Sequence, residues 1–323
     1  MSGKRPFPID ATLTAIAIGY RNPAHTLIGR RVLPAVPVLS EQFKWSEFPL
    51  DEGFSVPELR VGRKGRVNQV EFSVTERDAS VDDFGLDDAL PQSDIDAAAR
   101  ARAEKRSTYD PRGAAVEGLT NLIELGREVR AAALVQNPAN YAADKSIVLS
   151  GASQFSDPNS DPYGVIDQAL DSTLVYRPNT ISMGQAAWSK IKKHPRLIKA
   201  VKGGLTDEGA ITRAQFAELF ELKPENILVG EALLNTSRKG QSPTLSRVWG
   251  KSIQLTYIDP SKQRSDDYNV TWGFTAELGS RISGSIVDGD IGLQGGERIR
   301  VGERVKELVV AKDVGFQIRN AVA

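Results

Sequence analysis

Residues 110–138 read DPRGAAVEGLTNLIELGREVRAAALVQNP and carry the most regular helical pattern of the chain. Asp110 is a typical N-cap residue, and Pro111 suits the first helical position. Apolar or small side chains then recur at helical spacing, at Val116, Leu119, Ile123, Gly126, Val129 and Ala133. Asn137-Pro138 ends the pattern. The stretch therefore predicts a helix over about 110–137, roughly 25 residues and about 37 Å long, on which other elements pack.

A long β-hairpin is predicted upstream of this helix, over residues 38–78. Phe43 and Trp45 alternate with polar residues on the outward strand, and apolar residues alternate in the same way over 69–75 on the return strand. The connection between the strands is too long for a loop inside a compact domain. We therefore expect it to project from the body, with a basic tip formed by Arg60, Arg63, Lys64 and Arg66.

The segment after the hairpin has the opposite charge. Residues 76–96 contain eight acidic side chains against one basic side chain, Arg77. Four of the acidic residues form two adjacent pairs, Asp82, Asp83, Asp87 and Asp88. Their spacing lacks the glycine and the final glutamate of an EF-hand loop, so we expect no metal site here. The segment is predicted to be an acidic surface that faces solvent or a partner.

The rest of the chain divides into parts of different character. Residues 1–37 are rich in proline, which predicts an extended arm that lies across the body or a neighbour. Residues 160–265 alternate short strands and helices, which predicts a mixed α/β domain. Residues 266–323 are rich in β patterns, and from residue 296 onwards they predict short strands joined by turns. Because these strands are expected to pair near the long helix, 79–159 and 266–323 form one discontinuous domain of an α+β fold.

The overall composition excludes several classes of function. The 323 residues include 41 basic and 41 acidic side chains, so the formal net charge is zero and a dedicated nucleic-acid-binding protein is not expected. The absence of cysteine excludes disulfides, thiolate metal sites and cysteine nucleophiles. No stretch is long and apolar enough to predict a membrane span or a secretion signal. The expected location is therefore inside the cell.

No group of residues predicts an enzyme. His25 and His194 are expected to be solvated surface residues, and no serine lies in a G-x-S-x-G turn. Gly250-Lys251-Ser252 lacks the first glycine of a phosphate-binding loop and precedes a strand. The basic stretch over 190–202 has two interpretations, contact with phosphates or the solvated face of an amphipathic helix. We expect no catalytic residue, no cofactor and no metal.

Four segments in a fixed order carry a resemblance to a known family. They are RVLPAVPV at 31–38, which leads into the Phe43/Trp45 strand; QVEFSVT at 69–75, followed by the acidic segment and the long helix; NILVG at 226–230 with VWGKSIQLTYIDP at 248–260; and VTWGF at 270–274. In this layout the chain resembles the major capsid proteins of tailed bacteriophages, which have the Hong Kong 97-type fold. The resemblance covers nearly the whole chain and lies in the order of parts rather than in short diagnostic motifs.

The resemblance implies a role for each part of the chain. It makes 1–37 an N-terminal arm, 38–78 an extended loop that lies on a neighbouring subunit, 79–159 with 266–323 a peripheral domain around the spine helix, and 160–265 an axial domain. It also implies a structural, non-enzymatic protein that assembles into pentamers and hexamers of an icosahedral shell around double-stranded DNA. The expected location is the virion, after assembly in the cytoplasm of a bacterial host.

The resemblance further implies a set of partners. These are other copies of the chain, a separate scaffolding protein, a portal protein, decoration proteins and packaged DNA bound without sequence specificity, with no membrane. The alternatives are a cellular encapsulating nanocompartment shell protein of the same fold and a soluble hydrolase. Nothing singles out a partner for Lys64, so no covalent crosslink is predicted.

The two clusters of opposite charge lead to one hypothesis about contacts between subunits. Both lie on segments that are predicted to be exposed, and charge complementarity selects partners and register. We hypothesise that the basic tip of one subunit meets the acidic segment of its neighbour, pairing Arg60, Arg63, Lys64 and Arg66 with Asp82, Asp83, Asp87 and Asp88.

Overall fold

The computed structural model describes residues 22–47, 56–61, 63, 65–69, 75–173, 175–204, 206–238, 240–262, 264–265 and 269–323. Its α-helices are α1 Gly29–Val32, α2 Gln92–Ala103, α3 Pro111–Gln136, α4 Pro162–Asp171, α5 Gln185–Ile191, α6 Pro195–Val201 and α7 Arg213–Leu219. Its strands are β1 Ala35–Val38, β2 Gln42–Glu47, β3 Thr75–Ser80, β4 Asp82–Pro91, β5 Ser146–Val148, β6 Thr180–Gly184, β7 Ile227–Gly230, β8 Leu233–Asn235, β9 Leu245–Arg247, β10 Ile253–Thr256, β11 Gly273–Leu278, β12 Ile282–Asp288, β13 Gly296–Val309 and β14 Gly315–Arg319. None of the described helices is both long and apolar enough to cross a bilayer.

The predicted long helix is α3, which we call the spine helix. The carboxylate of Asp110 accepts a hydrogen bond from the Gly113 N–H at 3.3 Å and caps the helix, which starts at Pro111 and has 26 residues. The buried face differs from the predicted one in its second half, because Val129 is half-buried and Ala133 is exposed. The buried residues of the helix are Pro111, Ala115, Leu119, Ile123, Arg127, Glu128, Ala131, Ala132 and Val135.

The first large sheet packs under the spine helix. Its strand order is β1-β11-β13-β12, and β4 pairs with the other edge of β13. Residues 296–309 form one strand of 14 residues, so the prediction of short strands and turns there is wrong. The reason is that β13 is paired along its length, with β12 and β11 on one side and with the acidic strand β4 on the other.

The second large sheet forms the core of the α/β part. Its order is β5-β14-β10-β6-β7, and buried side chains of α4, α5, α6 and α7 pack against it. β6, β7 and β10 are buried at every position, which is typical of a sheet covered on both faces. β5 and β14 lie outside the predicted 160–265 range, yet they hydrogen-bond to this sheet. The division into domains itself stays a prediction.

Two small antiparallel pairs lie apart from the large sheets. β2 and β3 form the base of the predicted hairpin, with Trp45 opposite Arg77. The hairpin residues described between them, 56–61, 63 and 65–69, lie in neither helix nor strand. Lys64, the apolar return positions 70–74 and arm residues 1–21 lie outside the described residues. The second pair, β8 with β9, joins Leu233 to Arg247 and Asn235 to Leu245.

A single buried carboxylate connects the N-terminal segment, the spine helix and the α/β part. Glu128 of the spine helix is 2% exposed. Its carboxylate accepts hydrogen bonds from the N–H groups of Ile28 at 2.9 Å and Gly29 at 2.6 Å. It also accepts one from the Trp249 indole N–H at 2.6 Å. Burial raises the pKa of Glu128, and these donors oppose that rise.

The packing around Trp249 predicts a severe effect of adding one methyl group. A Cβ at Gly230 would overlap the Trp249 indole ring, so Gly230→Ala must displace the ring from Glu128. We expect a loss of roughly 1–3 kcal/mol in the free energy of unfolding, measured by urea denaturation of unassembled subunits. Gly284→Ala is the control, because nothing lies within 4 Å of a Cβ there. Equal unfolding midpoints for the two variants would contradict this account of the packing.

Candidate inter-subunit surface

The four predicted contact carboxylates of the acidic segment lie on strand β4, where their charges are partly neutralised within the subunit. Asp87 lies next to Arg300 on β13, and the two side chains form a pair of hydrogen bonds of 2.7 Å each. Asp82 accepts a hydrogen bond from Lys306 at 2.9 Å. The Arg300 guanidinium lowers the pKa of Asp87. Two of the four predicted contact carboxylates therefore already have a cation in their own chain.

The other two carboxylates, Asp83 and Asp88, are exposed and have no cation partner among the described residues. Successive side chains of a strand point to opposite faces, and residues directly opposite on paired strands share a face. Asp88 lies opposite Ile299, whose side chain packs under the spine helix. Asp83 lies opposite Arg304 and therefore on the outer face of the sheet. Strand β4 thus presents, on each face, one carboxylate that has no cation partner among the described residues.

Alternating basic residues of β13 provide the charges that face β4 and β12. Arg298, Arg300, Arg304 and Lys306 occupy every second position apart from Gly302. Between them lie the buried residues Ile299, Val301, Glu303 and Val305. This period of two is the signal in the sequence that predicts a strand here, because it places the charges on one face and the buried residues on the other. The prediction of turns over this stretch did not use this alternation.

The three residues of the predicted basic tip that the structure describes are exposed. Arg60, Arg63 and Arg66 are open to solvent, and within the described part of the chain no carboxylate side chain pairs with them. Apolar side chains of the same segment are also exposed, including Val56 at 82% and Leu59 at 75%. The structure does not bring the tip and β4 together within one subunit. The pairing between subunits stays a prediction.

Charged side chains also hold the spine helix to the first sheet, a feature that the apolar periodicity did not predict. Arg127 pairs with Glu277 of β11 and lies 3.8 Å from Glu303 of β13. Arg130 pairs with Glu307 at 3.0 Å and with Glu303 at 3.6 Å. Because arginine offers several donors in a fixed plane, it suits such multiple carboxylate contacts.

The same helix contacts the acidic strand through an aromatic ring. The guanidinium of Arg130 lies 3.6 Å from the centre of the Phe84 ring. Such a cation–π contact over a desolvated ring is worth about 0.5–2 kcal/mol. Phe84 lies opposite Glu303 on β13, so the spine helix, β13 and β4 meet at one place. This contact holds the acidic strand in position for any partner.

His194 is buried, so the prediction of a solvated surface histidine is wrong. It is 2% exposed, and its Nδ1 accepts a hydrogen bond from the Arg196 N–H, which caps α6. Its Nε2 therefore carries the proton and lies 3.0 Å from the Asp157 carbonyl oxygen and 3.1 Å from Ser160 Oγ. A histidine that donates towards a serine cannot take the proton of that serine. This geometry does not support the hydrolase alternative.

The Gly250-Lys251-Ser252 sequence lies against the spine helix. Gly250 and Ser252 contact the side chain of Gln136, so the GKS sequence is part of the packing against the spine helix. Across the described part of the chain, no cluster of three or more histidine, aspartate or glutamate residues is arranged to hold a metal ion.

The chain is similar to known phage proteins along its whole length. It is 49% identical over 319 residues to the major capsid protein of Pseudomonas phage JBD67, covering 98% of each chain. The chain belongs to the phage major capsid proteins. A second capsid relative, from Burkholderia phage BcepMu, is 29% identical over 318 residues, covering 96% of this chain and 95% of the relative. No protein-family model matches the chain.

Solved structures confirm the predicted Hong Kong 97-type capsid fold. A phage-related protein from Bordetella bronchiseptica RB50 matches with a TM-score of 0.69 and 22% identity, covering 98% of each chain. The capsid of the native GTA particle matches with a TM-score of 0.59 and 12% identity, over 100% of this capsid protein and 96% of that chain. Mycobacterium phage Adephagia matches with a TM-score of 0.54 and 11% identity, over 98% and 94%.

The predicted function is confirmed at the level of the family. This capsid protein is a structural protein of the phage head shell, where it assembles into oligomers, and its location is the virion capsid. The candidate surfaces for contacts between subunits are the acidic strand β4, the basic tip and the exposed side chains of the hairpin.

The buried histidine predicts how the stability of the capsid subunit depends on pH. Burial lowers the pKa of His194 below its ordinary value of 6.5. Below about pH 6.5 the unfolded chain therefore binds a proton at His194 that the folded chain does not bind. Neutral His194 contributes fully to the free energy of unfolding above about pH 6.5, and this contribution decreases as the pH falls below that value. We expect His194→Asn, which keeps a capping side chain, to flatten the pH dependence of urea unfolding between about pH 5 and 7. His25→Asn is the control, and an unchanged slope in His194→Asn would contradict the assignment.

Proposed function

We propose that copies of this capsid protein form the pentamers and hexamers of an icosahedral shell that encloses double-stranded DNA. The observation that carries the proposal is the 49% identity to a phage major capsid protein over 98% of both chains. The exposed hairpin segment supports it, because Val56, Leu59 and Val67 leave apolar surface that a second copy can cover. We further propose that assembly takes place in the cytoplasm of the bacterial host.

The proposed partners are the molecules that a phage head shell needs for assembly and DNA packaging. They are a separate scaffolding protein, a portal protein, decoration proteins and packaged DNA bound without sequence specificity. We propose no enzymatic activity for the chain and no cofactor. The geometry of His194 supports this proposal, because Nδ1 caps α6 and Nε2 faces the Asp157 carbonyl oxygen and Ser160 Oγ.

We also propose that the basic tip lies on the β4 region of a neighbouring subunit. Arg60, Arg63, Lys64 and Arg66 carry four positive charges within seven residues. Asp83 and Asp88 are the first carboxylates available to them, since Asp82 and Asp87 are held by Lys306 and Arg300. The outer face of β4, with Asp83, is free of the spine helix and accessible to an incoming loop.

The energetics favour a role in specificity rather than in strength. An exposed ion pair contributes roughly 0–1 kcal/mol. Complementary charges mainly select the partner and fix the register of the contact. Because a shell repeats each contact many times, a small gain per contact is multiplied. The tip therefore decides which neighbour is engaged, while apolar burial supplies most of the binding energy.

Reversing the charge of the tip tests this contact. The variant Arg60→Glu, Arg63→Glu, Lys64→Glu and Arg66→Glu should stay folded, with an unchanged Tm, but should form no closed shells by negative-stain microscopy. The matched control reverses four exposed cations that have no carboxylate partner in the described chain, Lys105, Lys190, Lys193 and Arg319. Normal shells from the tip variant, or an equal loss in the control, would overturn the contact.

A second variant tests which carboxylates receive the tip. Asp83→Arg with Asp88→Arg should restore shells when combined with the reversed tip, because opposite charges face each other again. Asp82→Asn with Asp87→Asn should give no rescue, and it should instead lower the thermal stability of the subunit slightly by leaving Lys306 and Arg300 unpaired. Rescue by the changes at Asp82 and Asp87, but not by those at Asp83 and Asp88, would show that the assignment of carboxylates is wrong.

A further inference from the structure

The β8–β9 hairpin is a separate exposed element with an unusual surface. It pairs with neither large sheet. The residues Leu233, Arg247, Asn235 and Leu245 lie opposite one another in two pairs, so their side chains share one face. Leu245 is 61% exposed and Leu233 is 37% exposed. This face therefore combines two exposed leucines with an arginine.

The hairpin lies in a basic region without any acidic residue. No aspartate or glutamate occurs between Glu231 and Asp259, whereas the interval contains Arg238, Lys239, Arg247 and Lys251. Arg238 and Arg247 are exposed, and no carboxylate side chain of the described residues pairs with them. Most other arginines of the body do have a carboxylate partner, as Arg213 has with Glu231 at 2.9 Å.

The hairpin is held in one shape before any partner binds. At its tip, the Asn235 side-chain oxygen accepts hydrogen bonds from the Ser237 N–H, the Ser237 hydroxyl and the Thr244 N–H. At its base, the Asn22 side chain bonds both the N–H and the carbonyl of Leu233, each at 2.9 Å. A surface that is ordered in advance loses less entropy on binding.

We propose that the β8–β9 hairpin is an inter-subunit contact of its own, which docks on a carboxylate-bearing surface of a second copy of this chain. A two-stranded hairpin is only marginally stable by itself, and covering its leucines adds the burial that it lacks. The proposal rests on the shell assembly proposed above but not on the contact of the basic tip.

The chemistry of the hairpin favours a second copy over nucleic acid. A phosphate backbone requires cations but offers no apolar surface, so the leucines beside Arg247 would stay uncovered on DNA. A second copy of the chain offers both carboxylates for the arginines and exposed apolar side chains for the leucines. Asp83, Asp88 and Asp290 are exposed carboxylates that have no cation partner among the described residues, and Val287 and Leu293 are exposed close to Asp290 in the sequence.

Charge reversal with a matched control tests the contact. Arg238→Glu with Arg247→Glu should leave the subunit folded, with an unchanged Tm, and should reduce the yield of shells at least tenfold. The control Lys190→Glu with Lys193→Glu changes the net charge by the same amount. It replaces two exposed lysines that have no carboxylate partner in the described chain, and the yield of shells should stay within about twofold of wild type. Equal yields from the two variants would overturn the proposal.

Crosslinking identifies the occupant in assembled shells. A photo-crosslinking amino acid at position 245 should join two copies of the capsid chain, with the crosslinked peptide of the second copy containing aspartate or glutamate. Crosslinks confined to one chain, to DNA or to another virion protein would overturn the proposal. A wild-type chain that forms no shells would instead contradict the proposed function, so the two failures are distinguishable.

Discussion

The rest of the structure depends on the Glu128 carboxylate, which is buried, is held by three N–H donors and has no cation partner among the residues that the structure describes. A buried charge is costly unless it is fully hydrogen-bonded, and each donor here comes from a part of the chain that must be positioned. The Ile28 and Gly29 N–H groups fix α1, from which β1 runs parallel to β11. The Trp249 indole fixes the segment between β9 and β10. One carboxylate therefore sets the N-terminal segment and the second sheet relative to the spine helix.

Many of the 41 basic and 41 acidic side chains of the chain pair with each other in local networks. Arginines of the spine helix and β13 meet glutamates and aspartates on β4, β11, β12 and β13. Removing one partner from such a network leaves an uncompensated charge and is much more costly than the pair is favourable. The main effect of the networks is therefore to fix the alignment of the spine helix and the strands. Their net contribution to the stability of the subunit is small. What they leave unpaired, at the hairpin tip, on β4 and on the β8–β9 hairpin, is the charge available to neighbours.

A shell subunit needs a rigid body and extended contacts, and the two requirements are met by different segments. The body contains the spine helix and two sheets, with side chains such as Trp249, Trp272 and Phe316 in its interior. The segments that extend from it carry exposed leucines and valines, and exposed arginines that pair with no carboxylate among the described residues. In the contacts that we propose, neighbouring copies in the shell cover these surfaces.

The sequence by itself determined the features that depend on neighbouring residues. The Asp110 cap, the spine helix, strand β2 of the hairpin and the order of parts that resembles a phage capsid protein follow from local propensity and from periods of two and 3.6. Only the tertiary structure decided that Arg127 and Glu128 are buried, that Asp82 pairs with Lys306 across 224 residues, and that His194 caps a helix in the core. The physical reason is that a charged side chain is buried only where distant segments supply its hydrogen-bond partners, and no local pattern records where those partners lie.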